Sequence, residues 1–369
     1  MIFHVCDGRG RPIGEIADAD LLSAVQKEER NGSDIVELRS RVPLEKGQRI
    51  VWREDAVYRR GRWHEHIVAS ADAAHGSGFA CEAKCKSSVN ELDQWYLVDV
   101  RPSGTASDIL AALLSSTDWG SLGVAGDSAS YPTRFYYHQT VLDALGEFEE
   151  ACIADQTRFM EADAAPSGVT ARRIGYRSAP EKPVARFEYG YNLADASRRI
   201  APDPVCTALY GWGKGEEVGD GYSRKVSFDT VNGGIAWVGD EEARGLWGRR
   251  DGGHAFGDVE FPDVDDPHEL LRLTRAELQR TRFPRTSYTG AIRLLEKRYG
   301  VERVELGDWV DVVDAEFPGG FRETLRVEGA AWDLLDPPRS TVDLGEVPET
   351  IEKAIARQSR ALRRIDRRF

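Results

Sequence analysis

The chain has 369 residues, of which 41% are hydrophobic, and it carries a formal net charge of −13. This length and apolar content predict two or three ordered domains and exclude an intrinsically disordered chain. The acidity disfavours a protein that grips duplex nucleic acid, because phosphate neutralisation needs a basic face. An acidic wall could still line a passage through which nucleic acid slides without sticking.

Neither a membrane span nor a secretion signal is apparent in the sequence. No apolar run approaches the ~18–20 residues that a membrane span requires. The first residues, Met1–Gly8, contain neither the basic region nor the apolar region of a signal peptide. The five cysteines, odd in number and irregular in spacing, are typical of reduced and mostly buried thiols. We therefore expect a chain that is made in a cytosol.

Residues 1–100 are predicted to form a first β-barrel segment. Asn31-Gly32 between two strand-like runs is a strong hairpin pattern. The regular spacing of the turns favours a small barrel or sandwich. The predicted strands are Ile2–Cys6, Ala24–Glu29, Ile35–Arg41, Arg49–Arg53 and Trp63–Ala69.

Residues 101–190 are predicted to form a compact α+β module. A first amphipathic helix opens near Thr105 and is expected to stop near Thr117, and a second covers about Thr140–Ile153. Three strand-like runs follow these helices. They are Arg158–Glu161, Ala171–Arg177 and Ala185–Tyr191.

Residues 191–346 return to β-structure and are predicted to form a second β-barrel segment with a helical insertion at about 266–298. Asp266-Pro267-His268-Glu269 has the form of a helix start, with Asp as N-cap, Pro at the first position and Glu in the capping box. This helix is expected to reach about Arg282, where Pro284 follows.

The last segment, residues 347–369, is predicted to be a C-terminal helix that starts at Pro348. Its core-type positions from Ile351 to Phe369 follow the 4-3-4-3-4 spacing of a coiled-coil seam. Self-association through this seam and packing of a surface helix on its own domain both fit the pattern.

One pattern of twelve residues occurs twice, at Leu44–Asp55 and at Val304–Ala315. Each copy has Gly after a three-residue lead, then near-alternating apolar and polar residues, and an acidic exit. Each is followed by a second glycine turn, at Gly61 and at Gly319-Gly320, and by a returning strand, which predicts a half-buried β-hairpin. We expect the two hairpins to be equivalent strands of two related small barrels. Finding them in unrelated folds, or in one sheet, would remove the argument for a pseudo-six-fold arrangement of the barrels.

His64, His66, Cys81 and Cys85 form the best candidate metal cluster in the sequence. Two histidines in an H-x-H pattern share one strand face, and zinc accepts histidine nitrogen and cysteine sulfur. The combination matches no common zinc finger, and His4–Asp7 lacks the H-x-x-x-D spacing that accompanies H-x-H in wall-cutting zinc peptidases. A histidine pair on a barrel strand and two packed thiols is the simpler interpretation. We predict no metal site.

The remaining chemical motifs favour structural roles. Cys152 lies in an amphipathic helix and Cys206 in a strand, so both are expected in the core rather than as nucleophiles. Gly211–Gly215 lacks the hydroxyl residue and the following helix of a phosphate loop, and is interpreted as a hairpin turn. Asp258–Asp266 lacks the ligand order of a calcium loop and is interpreted as a turn with a helix cap. We predict no catalytic residue, no cofactor-binding residue and no cofactor, and hence no enzyme.

The order of the elements along nearly the whole chain resembles that of the tail-associated, baseplate-hub proteins of tailed phages and prophages. The family is also labelled prophage endopeptidase tail. The motifs that carry the resemblance are Gly104-Thr105-Ala106 with its helix ending near Trp119, Val205–Gly211, the capped helix Asp266–Arg282, Leu306–Val312 and Thr341–Gly345.

The resemblance implies a virion structural protein at the tail tip, made in the cytoplasm of a bacterial host. It implies a homotrimer whose two barrels per chain make a pseudo-six-fold ring, joining a six-fold tail tube to a three-fold tip. The implied partners are distal tail and tail tube proteins, the tape measure protein and DNA that passes through the lumen without specific binding. No catalytic residue is transferred from the family label.

Two alternative functions remain open from the sequence. The first is a peptidoglycan endopeptidase of the tail tip with a site near His64 and His66. The second is a carbohydrate-binding receptor protein in which an exposed tryptophan such as Trp212 or Trp247 stacks on sugars. Bound zinc would favour the enzyme, sugar affinity of a monomer would favour the receptor protein, and a trimeric mass would favour the hub.

Overall fold

The computed structural model describes residues 1–345 except 55–60, 77, 154, 166–167, 201–203, 217–223, 263, 284–285, 293–303 and 317–320. Two compact units are present. The first runs from the start of the chain to Ser197 and resumes at Tyr288, and the second is Arg198–Ser287. The predicted C-terminal helix, residues 347–369, and the predicted turn at Gly319-Gly320 lie outside the described residues.

The first unit begins with eight strands, and the first seven of them join one sheet in the order β3-β4-β7-β6-β5-β1-β2, with antiparallel pairing throughout. Its apolar side chains surround Phe3 and Trp52, which are fully buried. Short 3₁₀ turns at Asp18–Asp20 and Ser88–Gln94 connect the strands. The strands are β1 (Ile2–Cys6), β2 (Pro12–Ala17), β3 (Leu21–Glu29), β4 (Asp34–Ser40), β5 (Arg49–Arg53), β6 (Trp63–His75), β7 (Phe79–Ser87) and β8 (Tyr96–Val100).

The α+β module follows and has its own core. Its first helix begins where predicted, because the Asp108 N–H donates to the Thr105 hydroxyl (3.2 Å) and the Thr105 N–H donates to the Asp108 carboxylate (2.9 Å). Both helices pack apolar faces against the sheet β10-β14-β13. The elements are β9 (Gly104–Thr105), α1 (Ala106–Leu114), β10 (Trp119–Val124), β11 (Ser130–Tyr131), β12 (Tyr136–Thr140), α2 (Val141–Cys152), β13 (Thr157–Ala165) and β14 (Gly168–Arg177).

Two strands, β15 (Ala185–Glu188) and β16 (Leu193–Ile200), lead to the second unit. That unit has a three-stranded sheet in the order β20-β17-β21, and a core that includes Leu209, Phe228 and Leu270. A 3₁₀ turn lies at Asp229–Val231. The elements are β17 (Ala208–Trp212), β18 (Gly215–Glu216), β19 (Arg224–Lys225), β20 (Trp237–Gly239), α3 (Glu241–Trp247), β21 (Phe256–Glu260) and α4 (Pro267–Thr281).

Four further strands complete the described chain, with a 3₁₀ turn at Pro337–Arg339 before the last of them. Strand β23 pairs antiparallel with β24 and parallel with β15, and these strands share a core with β25. The strands are β22 (Thr286–Ile292), β23 (Trp309–Asp314), β24 (Phe321–Asp333) and β25 (Thr341–Gly345).

The described part of the predicted helical insertion at 266–298 is a helix followed by a strand, and residues 293–298 lie outside the described residues. Arg198–Ser287 is a compact unit with its own sheet and core. Its helix α4 is capped by Asp266 as predicted but ends at Thr281, and the chain forms strand β22 from Thr286. Pro284 cannot continue a helix, and the β-branched and aromatic residues that follow it favour a strand.

The prediction of two separate barrels is not confirmed. Both predicted hairpins belong to one hydrogen-bonded sheet, because β24 is long enough to pair with strands of both hairpin regions. Its first half pairs with β23, and its second half pairs with both β25 and β3. Among the described strands, the sheet order runs from β16 to β2, and these two end strands do not pair with each other. No helix in the described part of the chain is long and apolar enough to span a membrane.

Candidate functional site

The first predicted hairpin closes through a compact set of hydrogen bonds before β5. The Gly47 N–H donates to the Val68 carbonyl (2.9 Å), and the Val68 N–H donates back to the Gln48 carbonyl (2.8 Å). The Gln48 N–H donates to the Glu45 carbonyl (3.1 Å), while the Glu45 N–H donates to the Gln48 side-chain oxygen (3.0 Å). Gly47 adopts a left-handed conformation, with φ of 88°.

The second hairpin repeats these four hydrogen bonds before β23. The Gly307 N–H donates to the Val327 carbonyl (2.7 Å), and the Val327 N–H donates back to the Asp308 carbonyl (2.9 Å). The Asp308 N–H donates to the Glu305 carbonyl (3.1 Å), and the Glu305 N–H donates to the Asp308 carboxylate (2.9 Å). Gly307 is also left-handed, with φ of 82°. The two turns are therefore built alike, as the sequence pattern predicted.

The likeness extends well beyond the turns. The pairing of β6 with β7 shifts register between Val68 and Ser70, and that of β24 with β25 shifts between Val327 and Gly329, at the corresponding place. The core positions also correspond. Four core residues in each copy are at most 1% exposed. They are Ile50, Trp52, Val68 and Cys85 in the first copy and Val310, Val312, Val327 and Leu344 in the second.

The strand order shows the full extent of this repeated unit. Strands β3-β4-β7-β6-β5-β1 form the first copy, and β16-β22-β25-β24-β23-β15 form the second copy in the same order. One difference is that β1 runs antiparallel to β5, whereas β15 runs parallel to β23. A motif of twelve residues thus marks a unit of six strands that the chain builds twice.

A buried ion-pair network holds the first copy against the α+β module. Glu65 on β6 is fully buried, and its carboxylate accepts two hydrogen bonds from the Arg172 guanidinium, at 2.5 and 2.8 Å. Arg49 donates a third hydrogen bond to Glu65 (3.2 Å) and also binds Glu91. Burial raises the pKa of Glu65, but Arg172 and Arg49 lower it by more than burial raises it. The net pKa therefore lies below the ordinary value.

A second network holds the second copy against the same strand of the module. Arg177 donates to the Asp308 carboxylate (2.8 Å) and to the Leu306 carbonyl, both in the turn before β23. Arg62 donates to the Glu305 carboxylate (2.9 Å). Since Arg177 and Arg172 both belong to β14, one strand of the module binds both copies of the repeated unit. The sequence gives no local signal for these arginines, because their partners lie more than a hundred residues away along the chain.

The predicted candidate histidines lie in the core of the first copy. His64 stacks on Trp52 (ring centroids 4.6 Å apart), and its Nε2 lies 2.7 Å from the Glu54 carboxylate. His66 is fully buried and its Nε2 lies 2.9 Å from Asp34. Burial raises the pKa of Asp34, whereas His66, His64 and Gln26 lower it, and the net pKa is well below the ordinary value.

The candidate cysteines are buried on β7, where Cys85 pairs with Val68 and Cys81 with Ala73. Burial raises the pKa of Cys85 to about 12, so its thiol stays protonated near neutral pH. Within the described residues, no group of three or more His, Cys, Asp or Glu side chains is arranged to hold a metal ion. The structure thus gives each candidate histidine a carboxylate partner and places both thiols in the core.

The two tryptophans of the carbohydrate alternative lie in the second unit. Trp212 is half-buried on β17, and its ring is parallel to that of Tyr210, with centroids 5.9 Å apart. Trp247 ends α3 and is 48% exposed. Cys206, also in this unit, is half-buried, and burial raises the pKa of its thiol.

Acid is expected to weaken the first network. The folded pKa of Glu65 is lowered, so its ion pairs stabilise the fold above the unfolded pKa of about 4.3 and lose that effect as pH falls through the folded value. Urea unfolding of the Glu65→Gln variant should depend less on pH than that of the wild type between about pH 3 and 7. Equal pH dependence of the two proteins would contradict this role of Glu65.

The comparisons with known proteins agree with this architecture. Residues 181–355 match the family model described as prophage endopeptidase tail. The fold is similar to that of prophage tail protein gp18 from Listeria monocytogenes EGD-e over 98% of this chain and 99% of that one, with a TM-score of 0.62 and 14% identity.

Two further solved structures have similar folds. A tail protein from Neisseria meningitidis MC58 matches 93% of this chain and 96% of its own, with a TM-score of 0.59 and 14% identity. The 43 kDa tail protein of prophage MuSo2 from Shewanella oneidensis matches 94% of this chain and 98% of its own, with a TM-score of 0.60 and 12% identity. No curated protein matches the sequence.

The resemblance to the tail-associated proteins of phages and prophages is therefore confirmed. Residues 181–355 carry the sequence pattern of the prophage endopeptidase tail family, and almost the whole chain shares the fold of the solved prophage tail proteins.

Proposed function

We propose that this chain is a structural component of the tail tip, the baseplate hub that joins a six-fold tail tube to a three-fold tip. The observation that carries the proposal is the repeated unit of six strands, with the same turn bonds, bulge and buried positions in both copies. Three chains with two such units each would present six similar surfaces to a six-fold partner. Because both hairpins lie in one sheet, the argument from two separate barrels to a pseudo-six-fold ring no longer applies, and the proposal rests on the repeated unit alone.

The two arginine networks suit such a role. A hub must keep its two copies of the unit in fixed relation while neighbouring tail proteins press on them. Arg172 and Arg177 on one strand bind one copy each, through buried carboxylates. Truncating one partner of a buried ion pair is costly, so these contacts resist displacement of either copy.

The charge of the chain suits passage of DNA through the ring. A formal net charge of −13 favours a wall that repels phosphate, so that DNA and the tape measure protein leave the tail without sticking. In this proposal the further partners are the distal tail and tail tube proteins, and the chain acts as part of the virion without catalysis.

The mass of the full chain in solution tests the proposal. We expect three chains per particle by light scattering with size exclusion at near-physiological salt. A protein that stays monomeric at all concentrations and binds peptidoglycan fragments or sugars would contradict the hub. The His66→Ala variant should remain trimeric, and its activity on cell-wall material should equal that of the wild type. If the wild type cuts cell-wall material and the variant does not, the endopeptidase alternative is favoured.

A further inference from the structure

One face of the sheet in the second unit packs against helix α4. Leu209 on β17 and Val238 on β20 are 3% and 8% exposed, and they share a core with Leu270 and Leu278 of the helix. Successive side chains of a strand point to opposite faces of a sheet. The residues next to Leu209 and Val238 along each strand therefore make up the other face.

That other face carries a layer of aromatic rings. Tyr210 lies opposite Trp237 on one neighbouring strand, and Ala208 lies opposite Phe256 on the other. Neighbouring ring centroids are 5.9, 5.5 and 5.3 Å apart in the order Trp212, Tyr210, Phe256 and Trp237. Phe256 is 44% exposed, and the other three residues are half-buried. These four rings form one continuous surface, the aromatic face.

A glycine makes room for part of this layer. Gly239 lies two residues after Trp237 on β20, on the same face of the sheet. A Cβ on Gly239 would lie 2.8 Å from the Trp237 ring and 2.9 Å from the His254 ring. Because Gly239 has no side chain, both rings can pack over the strand.

Carboxylates lie beside the rings on the neighbouring strand. The register of β17 and β21 places Asp258 opposite Tyr210 and Glu260 opposite Trp212. Both acidic residues are exposed, and Glu260 accepts a hydrogen bond from Lys225. Two of the rings therefore each have a neighbouring carboxylate that can accept a hydrogen bond from a hydroxyl group.

These carboxylates narrow the class of ligand. Single-stranded nucleic acid also stacks on aromatic rings, but its phosphates require a positively charged groove, and Lys225 is paired with Glu260. The core of a protein–protein interface is depleted of charged residues, whereas here acidic residues lie beside the rings. A sugar ring offers an apolar C–H face to an aromatic ring and hydroxyl groups to a carboxylate. An uncharged glycan is therefore complementary to both parts of this surface.

We propose that the aromatic face, together with Asp258 and Glu260, binds an uncharged glycan of β-linked pyranose rings. The pyranose rings stack against Trp212 and Tyr210, and their hydroxyl groups donate hydrogen bonds to the two carboxylates. A β-linked chain is extended, so that successive sugar rings reach neighbouring side chains of the face. This inference goes beyond the proposed hub, because glycan binding by the second unit does not depend on how the chains assemble.

Calorimetric titration of the full chain tests the proposal with two probes, N-acetylchitohexaose and cellohexaose. Both are uncharged chains of β-linked pyranoses, and only the first carries acetamido groups. The wild type is expected to bind at least one of them, and the stronger probe shows whether the site prefers amino sugars or plain hexoses. Trp212→Ala should weaken binding about tenfold or more, because it removes a stacking ring. Asp258→Asn should weaken binding about fivefold, because an amide oxygen accepts a weaker hydrogen bond than a carboxylate.

Two further tryptophan variants serve as controls. Trp247 ends α3 in the same unit, is 48% exposed and lies outside the aromatic face, so Trp247→Ala should bind like the wild type. Trp212→Phe keeps a ring and should retain most of the affinity. An unchanged midpoint temperature of thermal unfolding for Trp212→Ala would show that its loss of binding does not come from unfolding. Equal losses for Trp212→Ala and Trp247→Ala would overturn the assignment to this face.

The salt dependence of binding separates stacking on the rings from simple attraction to the acidic residues. Affinity for an uncharged probe should stay the same from low to high salt, because screening acts on charge pairs. A wild type that binds neither uncharged probe, or binds only the cationic chitosan hexaose with an affinity that falls with salt, would overturn the proposal. Either result leaves the hub intact, since the number of chains per particle is measured separately in the same samples.

Discussion

Arg172→Ala is expected to lower the free energy of unfolding by about 3–5 kcal/mol, the range for breaking a buried ion pair by removing one partner. Glu65 is fully buried and takes two of its three arginine hydrogen bonds from Arg172. Without them, its carboxylate stays in the core with Arg49 as its remaining charged partner. Urea unfolding at neutral pH measures the loss.

The neighbouring residue supplies a matched control. Arg173 is on the same strand and pairs with Asp163, whose side chain is 47% exposed. Solvent screens this pair, so Arg173→Ala should cost only about 0–1 kcal/mol. Equal losses for the two variants would show that Arg172 contributes through general packing of β14 and not through Glu65.

Gly307→Ala is expected to be the more damaging of two alanine substitutions at corresponding turns. Both Gly307 and Gly47 have left-handed backbones, a conformation that costs a residue with a Cβ about 1–2 kcal/mol. A Cβ on Gly307 would also lie 1.9 Å from the hydroxyl oxygen of Thr157, a buried residue. Overpacking of this kind adds about 1–3 kcal/mol.

Gly47→Ala is the control, because a Cβ there meets nothing within 4 Å. We expect thermal unfolding to fall clearly further for Gly307→Ala than for Gly47→Ala. The same fall for both would mean that backbone strain alone sets the cost, and that the contact of the second turn with β13 is unimportant.

Local chemistry made part of the fold predictable. The start of α1 depends on Thr105 and Asp108, three residues apart, and the start of α4 depends on Asp266 and the two backbone amides that it caps. The twelve-residue pattern predicted both turns, because each copy has a glycine at the position where the turn needs a left-handed backbone. Features that depend on residues a few positions apart could therefore be predicted from the sequence.

Features that depend on residues far apart along the chain could not be predicted from the sequence. Strand β6 continues to His75, beyond the predicted Ala69, because pairing with β7 outweighs the low strand propensity of its alanines. The joining of the two copies depends on contacts such as Arg30 with Glu328, 298 residues apart. Likewise, only the fold identifies Arg172 as the partner of Glu65, 107 residues away along the chain.

The repeated unit also changes what the sequence repeat means. The match of twelve residues by itself predicts two barrels. The structure instead shows six strands in the same order twice, joined within the chain by β24 and β3. The central claim is that three chains assemble so that their six copies of this unit form one ring.

A symmetry-free electron cryo-microscopy reconstruction of the assembled full chain tests that central claim most directly. We expect three chains around one axis, with six copies of the repeated unit alternating at nearly equal angles. A particle without three chains around an axis, or one in which the two copies of the unit face different directions, would contradict this claim.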